Sequence, residues 1–226
     1  MTEPKSPRKD KTASLEYEHD YIAKGFKAIV GMDEAGRGPW AGPVTAGAVA
    51  LPLHRTDLLH VLHGIRDSKD MTARQRQDHV AIIHEIALAY GVGFATVQEI
   101  IDLGIMGATK LAMHRALQSA HNQDGFTPDC LFLDYMKWRE MRQIEQLHLT
   151  RGDTLSLSIA CASVLAKTAR DGYMLELAQV FPQYGFEKNK GYGTPQHSQA
   201  LDRYGVCPAH RTNFAPIRAK QKSLPL

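Results

Sequence analysis

Short apolar runs of strand length alternate with segments of helical period along this chain, and that alternation restricts it to an α/β architecture. The spacing predicts strands over residues 28–33, 43–51, 91–97, 130–134 and, more weakly, 147–151. Helical period runs through 72–89, 97–120 and 158–181, with a short helix from Ser14 to Gly25 and a break in the second segment at Gly104 and Gly107. In the last segment Ile159, Ala162, Ala166, Tyr173, Leu177 and Val180 advance by three or four along one stripe, the pattern of an amphipathic helix. Periodicity does not give the strand order. A chain of 226 residues has room for one full-sized core.

Both ends differ from this pattern. Residues 1–13 mix Pro, Ser and charges of both signs and read as a disordered tail, because they cannot bury enough apolar surface to offset the entropy of ordering. The last stretch, 206–226, carries Arg211, Arg218, Lys220 and Lys222 and no acid, so residues 218–226 read as a basic tail. Over the whole chain 27 Lys and Arg stand against 24 Asp and Glu, a net +3 that leaves the kind of partner open. Cys130, Cys161 and Cys207 suit neither a disulfide framework nor a paired-cysteine zinc site and read as idle thiols. No apolar run approaches the ~18 residues of a membrane span, and the first 21 residues are too polar for a secretory signal. A cytoplasmic protein with no membrane partner is the expectation.

The densest chemistry lies in Val30-Gly31-Met32-Asp33-Glu34-Ala35-Gly36-Arg37-Gly38-Pro39. Side chains alternate across a strand, so Asp33 and Glu34 can face one site only if the strand ends there, as the glycines suggest. Gly36 and Gly38 permit close approach of a ligand to the main chain, and Arg37 supplies donors suited to phosphate. Carboxylates for metal beside amides for phosphate fit phosphodiester chemistry; a polar turn with an exposed acid pair is the plainer reading. The third glycine of a dinucleotide fingerprint and the Gly-Lys-Ser/Thr of a P-loop are both missing.

Further motifs follow in order. They are Ala41-Gly42-Pro43-Val44, Asp67-Ser68-Lys69 with Thr72, Leu131-Phe132-Leu133-Asp134, Arg151-Gly152-Asp153, and the run from Ser158-Ile159-Ala160-Cys161-Ala162-Ser163 to Ala166-Lys167-Thr168-Ala169-Arg170-Asp171. Lys190-Gly191-Tyr192-Gly193-Thr194 with His197, then His210-Arg211 and Phe214-Ala215-Pro216, complete the series. From about residue 28 to 217 the chain resembles ribonuclease HII, the type 2 ribonuclease H family that cleaves RNA in RNA–DNA hybrids and nicks at ribonucleotides embedded in DNA.

The resemblance implies a ribonuclease H-like α/β fold over residues 14–217: a five-stranded mixed sheet flanked by helices, with a small helical C-terminal extension. It implies four catalytic and metal-binding carboxylates, Asp33, Glu34, Asp134 and Asp153, around two divalent ions, Mg²⁺ or Mn²⁺. An all-carboxylate set suits such hard ions. Read without the resemblance, Asp134 is a strand-end acid and Asp153 a helix N-cap. Backbone amides at Gly36, Arg37 and Gly38 are implied to grip the ribonucleotide, Tyr192 to stack beside the sugar at the RNA-to-DNA junction, and Ser68, Lys69, Lys167 and Arg170 to contact phosphates. Asp171 is expected to hold a salt bridge or support the site. His197, His210 and Arg211 either bind substrate or fix the C-terminal fold.

The implied partners are RNA–DNA hybrid and ribonucleotide-containing duplex DNA, bound by a monomer that hydrolyses to 5′-phosphate and 3′-hydroxyl ends in ribonucleotide removal. The sequence QKSLPL lacks the features of a sliding-clamp-binding tail. The family usually continues the Asp134 strand with Gly and Asn, whereas Tyr135, Met136, Lys137 and Trp138 stand here. That departure keeps open one alternative, a catalytically impaired hybrid-binding module, against which the intact carboxylate set argues. A ribonuclease HIII-like enzyme is the other, disfavoured because the roughly 27 residues ahead of the first strand cannot form that family's N-terminal substrate-binding domain.

Overall fold

The computed structural model describes residues 12–121 and 125–222. Five strands, β1 (Ile29–Ala35), β2 (Val44–Ala50), β3 (Ala89–Ala95), β4 (Cys130–Asp134) and β5 (Glu145–Leu149), form one sheet in the order β3-β2-β1-β4-β5. The β1–β2 and β2–β3 pairs are antiparallel and the β1–β4 and β4–β5 pairs parallel, so the sheet is mixed, with β1 at its centre. The ends of β1 and β4 therefore point the same way and lie side by side, which sets Asp33 and Glu34 near Asp134.

A helix covers each face. Helix α4 (Val97–His121) packs Ala108, Ala112 and Ala116 on Val30, Met32, Ala46 and Ala48; only Gly104 departs from helical geometry within it, and Gly107 does not break it. Helix α5 (Leu157–Val180) lies on the other face, where a Cβ at Gly31 would overlap the Ser158 backbone. The absence of a side chain at that point lets α5 approach β1 closely. The stripe read along α5 holds only for part of its length. Residues 157–166 are buried all round, because α2 (Leu58–Val61), α3 (Ala73–Ile86) and the 3₁₀ turn Ser68–Asp70 cover the side away from the sheet, while Val180 is exposed. The C-terminal extension consists of α6 (Phe186–Asn189), α7 (Pro195–Tyr204) and α8 (Ala215–Lys222), packed around Tyr184, Phe186, Leu201 and Ile217.

Three boundaries differ from the sequence reading for local reasons. β1 continues through Asp33 and Glu34 to Ala35, held by pairing with β2, so the expected strand end at Asp33 is corrected. β5 ends two residues early, where Arg151 takes a left-handed backbone conformation after Thr150. At the ends, Ala13 is buried and donates its N–H to Ile65 O, and residues 218–222 belong to α8, so the two tails are shorter than expected. Residues 1–11 and 223–226 lie outside the described residues. No helix among the described residues is long and apolar enough to cross a membrane.

Helix α1 (Glu16–Ala23) docks through a charge that sequence reasoning missed. Glu18 is fully buried, and one carboxyl oxygen accepts from the Ser156 hydroxyl at 2.6 Å and the Ser158 N–H at 2.9 Å, at the N-terminus of α5. Burial raises its pKa above the ordinary 4.5 despite those bonds. A carboxyl with a raised folded value costs nothing below its unfolded pKa and progressively more as pH climbs above it. Glu18→Gln keeps the acceptor and removes the titration. In denaturant unfolding, the stability difference in favour of the Gln variant should therefore widen from pH 4.5 to about pH 7; a flat or shrinking difference would contradict this.

Candidate active site

The site forms at the shared end of β1 and β4. Because β1 runs straight through the acid pair, Asp33 and Glu34 point to opposite faces of the sheet. Asp33 turns toward α5, where it is only 4% exposed and bonds to the Ser163 hydroxyl. Glu34 lies on the α4 side, and its Oε1 accepts from Arg37 Nη1 at 3.1 Å. Asp134 closes β4, with Oδ1 accepting the Gly152 N–H at 2.7 Å. That bond ties the strand end to the 3₁₀ turn Gly152–Thr154 and so brings Asp153 alongside. Ser156, not Asp153, caps α5, accepting from Ile159 N–H, so the capping reading of Asp153 does not apply.

The four carboxylates act on one another. Burial, then the charges of Glu34 and Asp134, raise the Asp33 pKa well above the ordinary carboxylate range. Burial raises Glu34 as well, partly offset by Arg37. Asp153 is pushed up to about 6 by burial and by the charges of Asp67 and Asp134. Lys69 answers this field: partial burial works against its charge, yet Asp67, Asp33, Asp153 and Asp134 together raise its pKa. Its ammonium stands 3.8 Å from Asp67 and is largely exposed.

These residues fit divalent ions in kind. All the donors are carboxylate oxygens, Glu34 Oε2 is buried without a partner among the described residues, and a lysine cation already leans toward the group. No three Asp, Glu, His or Cys side chains among the described residues are gathered tightly enough to enclose one ion. The reason is local. Asp33 Oδ1 accepts from the Glu34 N–H at 2.7 Å, and Glu34 and Asp134 are likewise each engaged by a donor of the chain. Mg²⁺ commonly takes only one or two carboxylates and completes its shell with water and substrate phosphate, so a three-residue cage is not required.

Beside the carboxylates a cleft of about 470 Å³ is lined by Glu34, the Gly36–Gly38 backbone, Ser68, Lys69, Lys167, Arg170 and Tyr192, all expected from sequence. Asp33, Asp134 and Asp153 are not among its lining residues. The Ser68 and Ser163 hydroxyls bond at 2.9 Å, which joins the Ser68–Lys69 turn to the helix that supports Asp33. Arg76 holds the same turn from α3, donating to Ser68 O and Met71 O and pairing with Asp171 at 3.0 Å. Asp171 also pairs with Lys167 at 2.6 Å and so has the supporting role expected of it. Ser163, Asp67 and Arg76 escaped sequence reasoning as site residues. The first two stand inside motifs already singled out, whereas Arg76 carries no local signal.

Arg170 is where the structure departs most from expectation. Rather than facing phosphate, it is almost wholly buried, and its guanidinium donates to the carbonyls of Pro43, Ala41 and Lys190. Tyr192, by contrast, is 45% exposed, and a Cβ placed on Gly38 would lie 3.8 Å from its ring. The Tyr192 carbonyl is bonded by His197 Nδ1 at 2.9 Å, and His197 Nε2 meets His210 Nε2 at 3.0 Å. Burial, then His197, pushes His210 down to about 4, so both rings are neutral near pH 7 and share one proton along that contact. The two histidines thus fix the fold under Tyr192. Beyond Asp134, Tyr135 adopts a left-handed conformation, 69% exposed, while Met136 and Trp138 return to the core.

Similarity to known proteins agrees with this geometry. A family model described as ribonuclease HII matches residues 30–217. The ribonuclease HII of Thermosynechococcus vestitus is 46% identical over 201 residues, covering 89% of this chain and 90% of its own length. That of Ruminiclostridium cellulolyticum is 44% identical over 200 residues, covering 88% and 74%. Among solved structures, the ribonuclease H2 from Pyrococcus horikoshii OT3 matches with a TM-score of 0.71 at 23% identity, over 87% of this chain and 98% of that one. Bst-RNase HIII in complex with Mn²⁺ matches at 0.66 and 15% identity, over 86% and 69%. Those two likenesses concern the fold; the sequence matches, spanning nearly all the elements that build the site, make this chain a member of the ribonuclease HII family and an enzyme of the ribonuclease H type.

Proposed function

We propose that the enzyme hydrolyses the RNA strand of RNA–DNA hybrids and cleaves 5′ to ribonucleotides embedded in duplex DNA, leaving 5′-phosphate and 3′-hydroxyl ends, in the service of ribonucleotide removal. The observation that carries this reading is the juxtaposition of mutually repelling carboxylates with an amide-lined cleft and an exposed tyrosine. Asp33, Glu34, Asp134 and Asp153 would hold two divalent ions, Mg²⁺ or Mn²⁺, in keeping with the family's dependence on such ions and with the Mn²⁺ complex of the fold neighbour. Bound there, such ions would supply the acidity that activates a water and the positive charge that stabilises a departing 3′ oxygen.

The chain's own residues do the positioning. The amides of Gly36, Arg37 and Gly38 bind the ribonucleotide and its phosphate; the 2′-hydroxyl is the group by which RNA differs from DNA at a given site. Lys69 contacts a flanking phosphate, while Ser68, buried and bonded to Ser163, and Lys167, paired with Asp171, support the wall beside it. Lys69 is poised for this role because its ammonium is exposed and is held near the carboxylates by charge alone, free to shift once they are neutralised. Tyr192 stacks beside the sugar at the junction. Water adds to phosphorus as the bond to the 3′ oxygen breaks, and that oxygen leaves to become the 3′-hydroxyl.

A duplex DNA carrying one ribonucleotide tests the reading. With Mg²⁺ or Mn²⁺ the protein should cut on the 5′ side of the ribonucleotide, and Asp33→Asn should slow the cut by about a thousandfold or more, roughly 4 kcal/mol of transition-state stabilisation. Binding without cleavage by the wild type at any ion concentration would instead mark a hybrid-binding module. Tyr192→Ala should lower cleavage at a lone ribonucleotide by about tenfold or more, the scale of one lost stacking contact; undiminished cleavage would remove Tyr192 from the site.

A further inference from the structure

Arg170 and Arg211 are the two largest side chains sealed inside the protein, 1% and 0% exposed. Neither forms an ion pair with a carboxylate among the described residues; their partners are backbone carbonyls. Arg170 donates from Nε to Pro43 O at 3.0 Å, from Nη1 to Lys190 O at 3.1 Å and from Nη2 to Ala41 O at 3.2 Å. Arg211 donates from Nε to Gly42 O at 2.9 Å, from Nη1 to Arg37 O at 3.0 Å, and from Nη2 to Gly36 O at 2.7 Å and Pro43 O at 3.0 Å. A Cβ at Gly36 would strike the Arg170 side chain, so glycine is required for the loop to lie this close.

The consequence follows from peptide geometry. In a trans peptide the N–H points opposite to the carbonyl of the same plane, and the chain has no cis bonds among its described residues. With the Gly36 and Arg37 carbonyls drawn inward to Arg211, the N–H groups of Arg37 and Gly38 are turned outward. Both residues line the cleft, and no acceptor engages either N–H among the described residues. Behind those two donors sit two cations. Burying a charge without a counter-charge costs several kcal/mol, and here burial, together with the neighbouring Arg170, pushes Arg211 down to about 9. Tying down a loop needs only neutral donors such as Asn or Gln. Unpaired cations suit an anion bound on the far side of the loop.

We propose that Arg170 and Arg211 are positioning residues that aim the Arg37 and Gly38 amides at a substrate phosphate and compensate its charge through the loop, setting affinity for the ribonucleotide-bearing strand. This rests on the nucleic-acid reading of the cleft. The two can fail separately: absence of cleavage by the wild type bears on that reading, whereas the present inference is read from binding in EDTA, where no cleavage is needed.

Arg211→Met and Arg211→Lys are compared with wild type by fluorescence anisotropy on a labelled duplex with one ribonucleotide, over a range of salt, with folding checked by circular dichroism. The Met variant should bind about tenfold more weakly, the scale of one lost charged hydrogen bond, and its affinity should fall less steeply with salt. The Lys variant, which keeps the charge but only part of the fork, should recover the steeper salt dependence and a share of the affinity. Arg170→Met, which removes the second cation and leaves the Arg211 contacts in place, should show the same weaker binding and shallower salt dependence, and supplies the reading if Arg211→Met does not fold. Folded variants with wild-type affinity and salt slope, or a Lys variant no better than Met, would overturn the inference and leave both arginines a purely structural role.

Discussion

Charge repulsion among Asp33, Glu34, Asp134 and Asp153 is the interaction around which the rest of this enzyme is arranged. Parallel pairing of β1 and β4 sets three of the acids at neighbouring strand ends, and the turn before α5 adds the fourth. Such a group, partly buried, destabilises the folded chain when ionised. The fold tolerates it through internal donors: the Ser163 hydroxyl and a backbone N–H for Asp33, Arg37 for Glu34, and the Gly152 N–H for Asp134. Close packing of α5 over Gly31 holds the helix that carries Ser163 against β1.

Positive charge is divided by task. Lys69 stands over the carboxylates, exposed and loosely held, where it can exchange one anionic partner for another. Lys167 is committed to Asp171, and Arg170 and Arg211 are sealed behind the loop that presents its amides to the cleft. The modest net charge of +3 hides this separation into an acidic pole and a cationic support. Field at the site comes from a few buried groups rather than from the surface total.

Much of the site could be read from residue order, because the chemistry is carried by short runs at strand ends. Nine of the twelve expected residues line the cleft, and the other three, the buried Asp33 and Asp153 and the half-buried Asp134, stand beside it. What could not be read is how side chains meet across long separations. Continuation of β1 past the acid pair comes from its pairing with β2, where Asp33 lies opposite Gly47 and Glu34 opposite Ala46, a partnership that no local glycine reveals; instead of joining Asp33 and Glu34 on one face, the sheet splits them. The burial of α5 on every side comes from α2 and α3, and the stripe pattern sees only the sheet-facing half. Arg170 is expected at a phosphate from its place in the family motif; its inward path is set by carbonyls some 130 residues earlier. Glu18 and Arg76 were invisible for the same reason, each finding its partner far along the chain.

The central claim is that the carboxylate cluster costs stability until divalent ions neutralise it. Urea unfolding of the wild type and Asp33→Asn, each in EDTA and in saturating Mg²⁺ or Mn²⁺, tests this most directly and needs no substrate. In EDTA the Asn variant should be the more stable, since it removes one of four repelling charges and keeps the bond to Ser163. Added ion should raise the wild type by about 2.7 kcal/mol at a hundredfold excess over its dissociation constant, enough to reverse the order. A wild type already more stable than Asp33→Asn in EDTA and indifferent to either ion would contradict the claim.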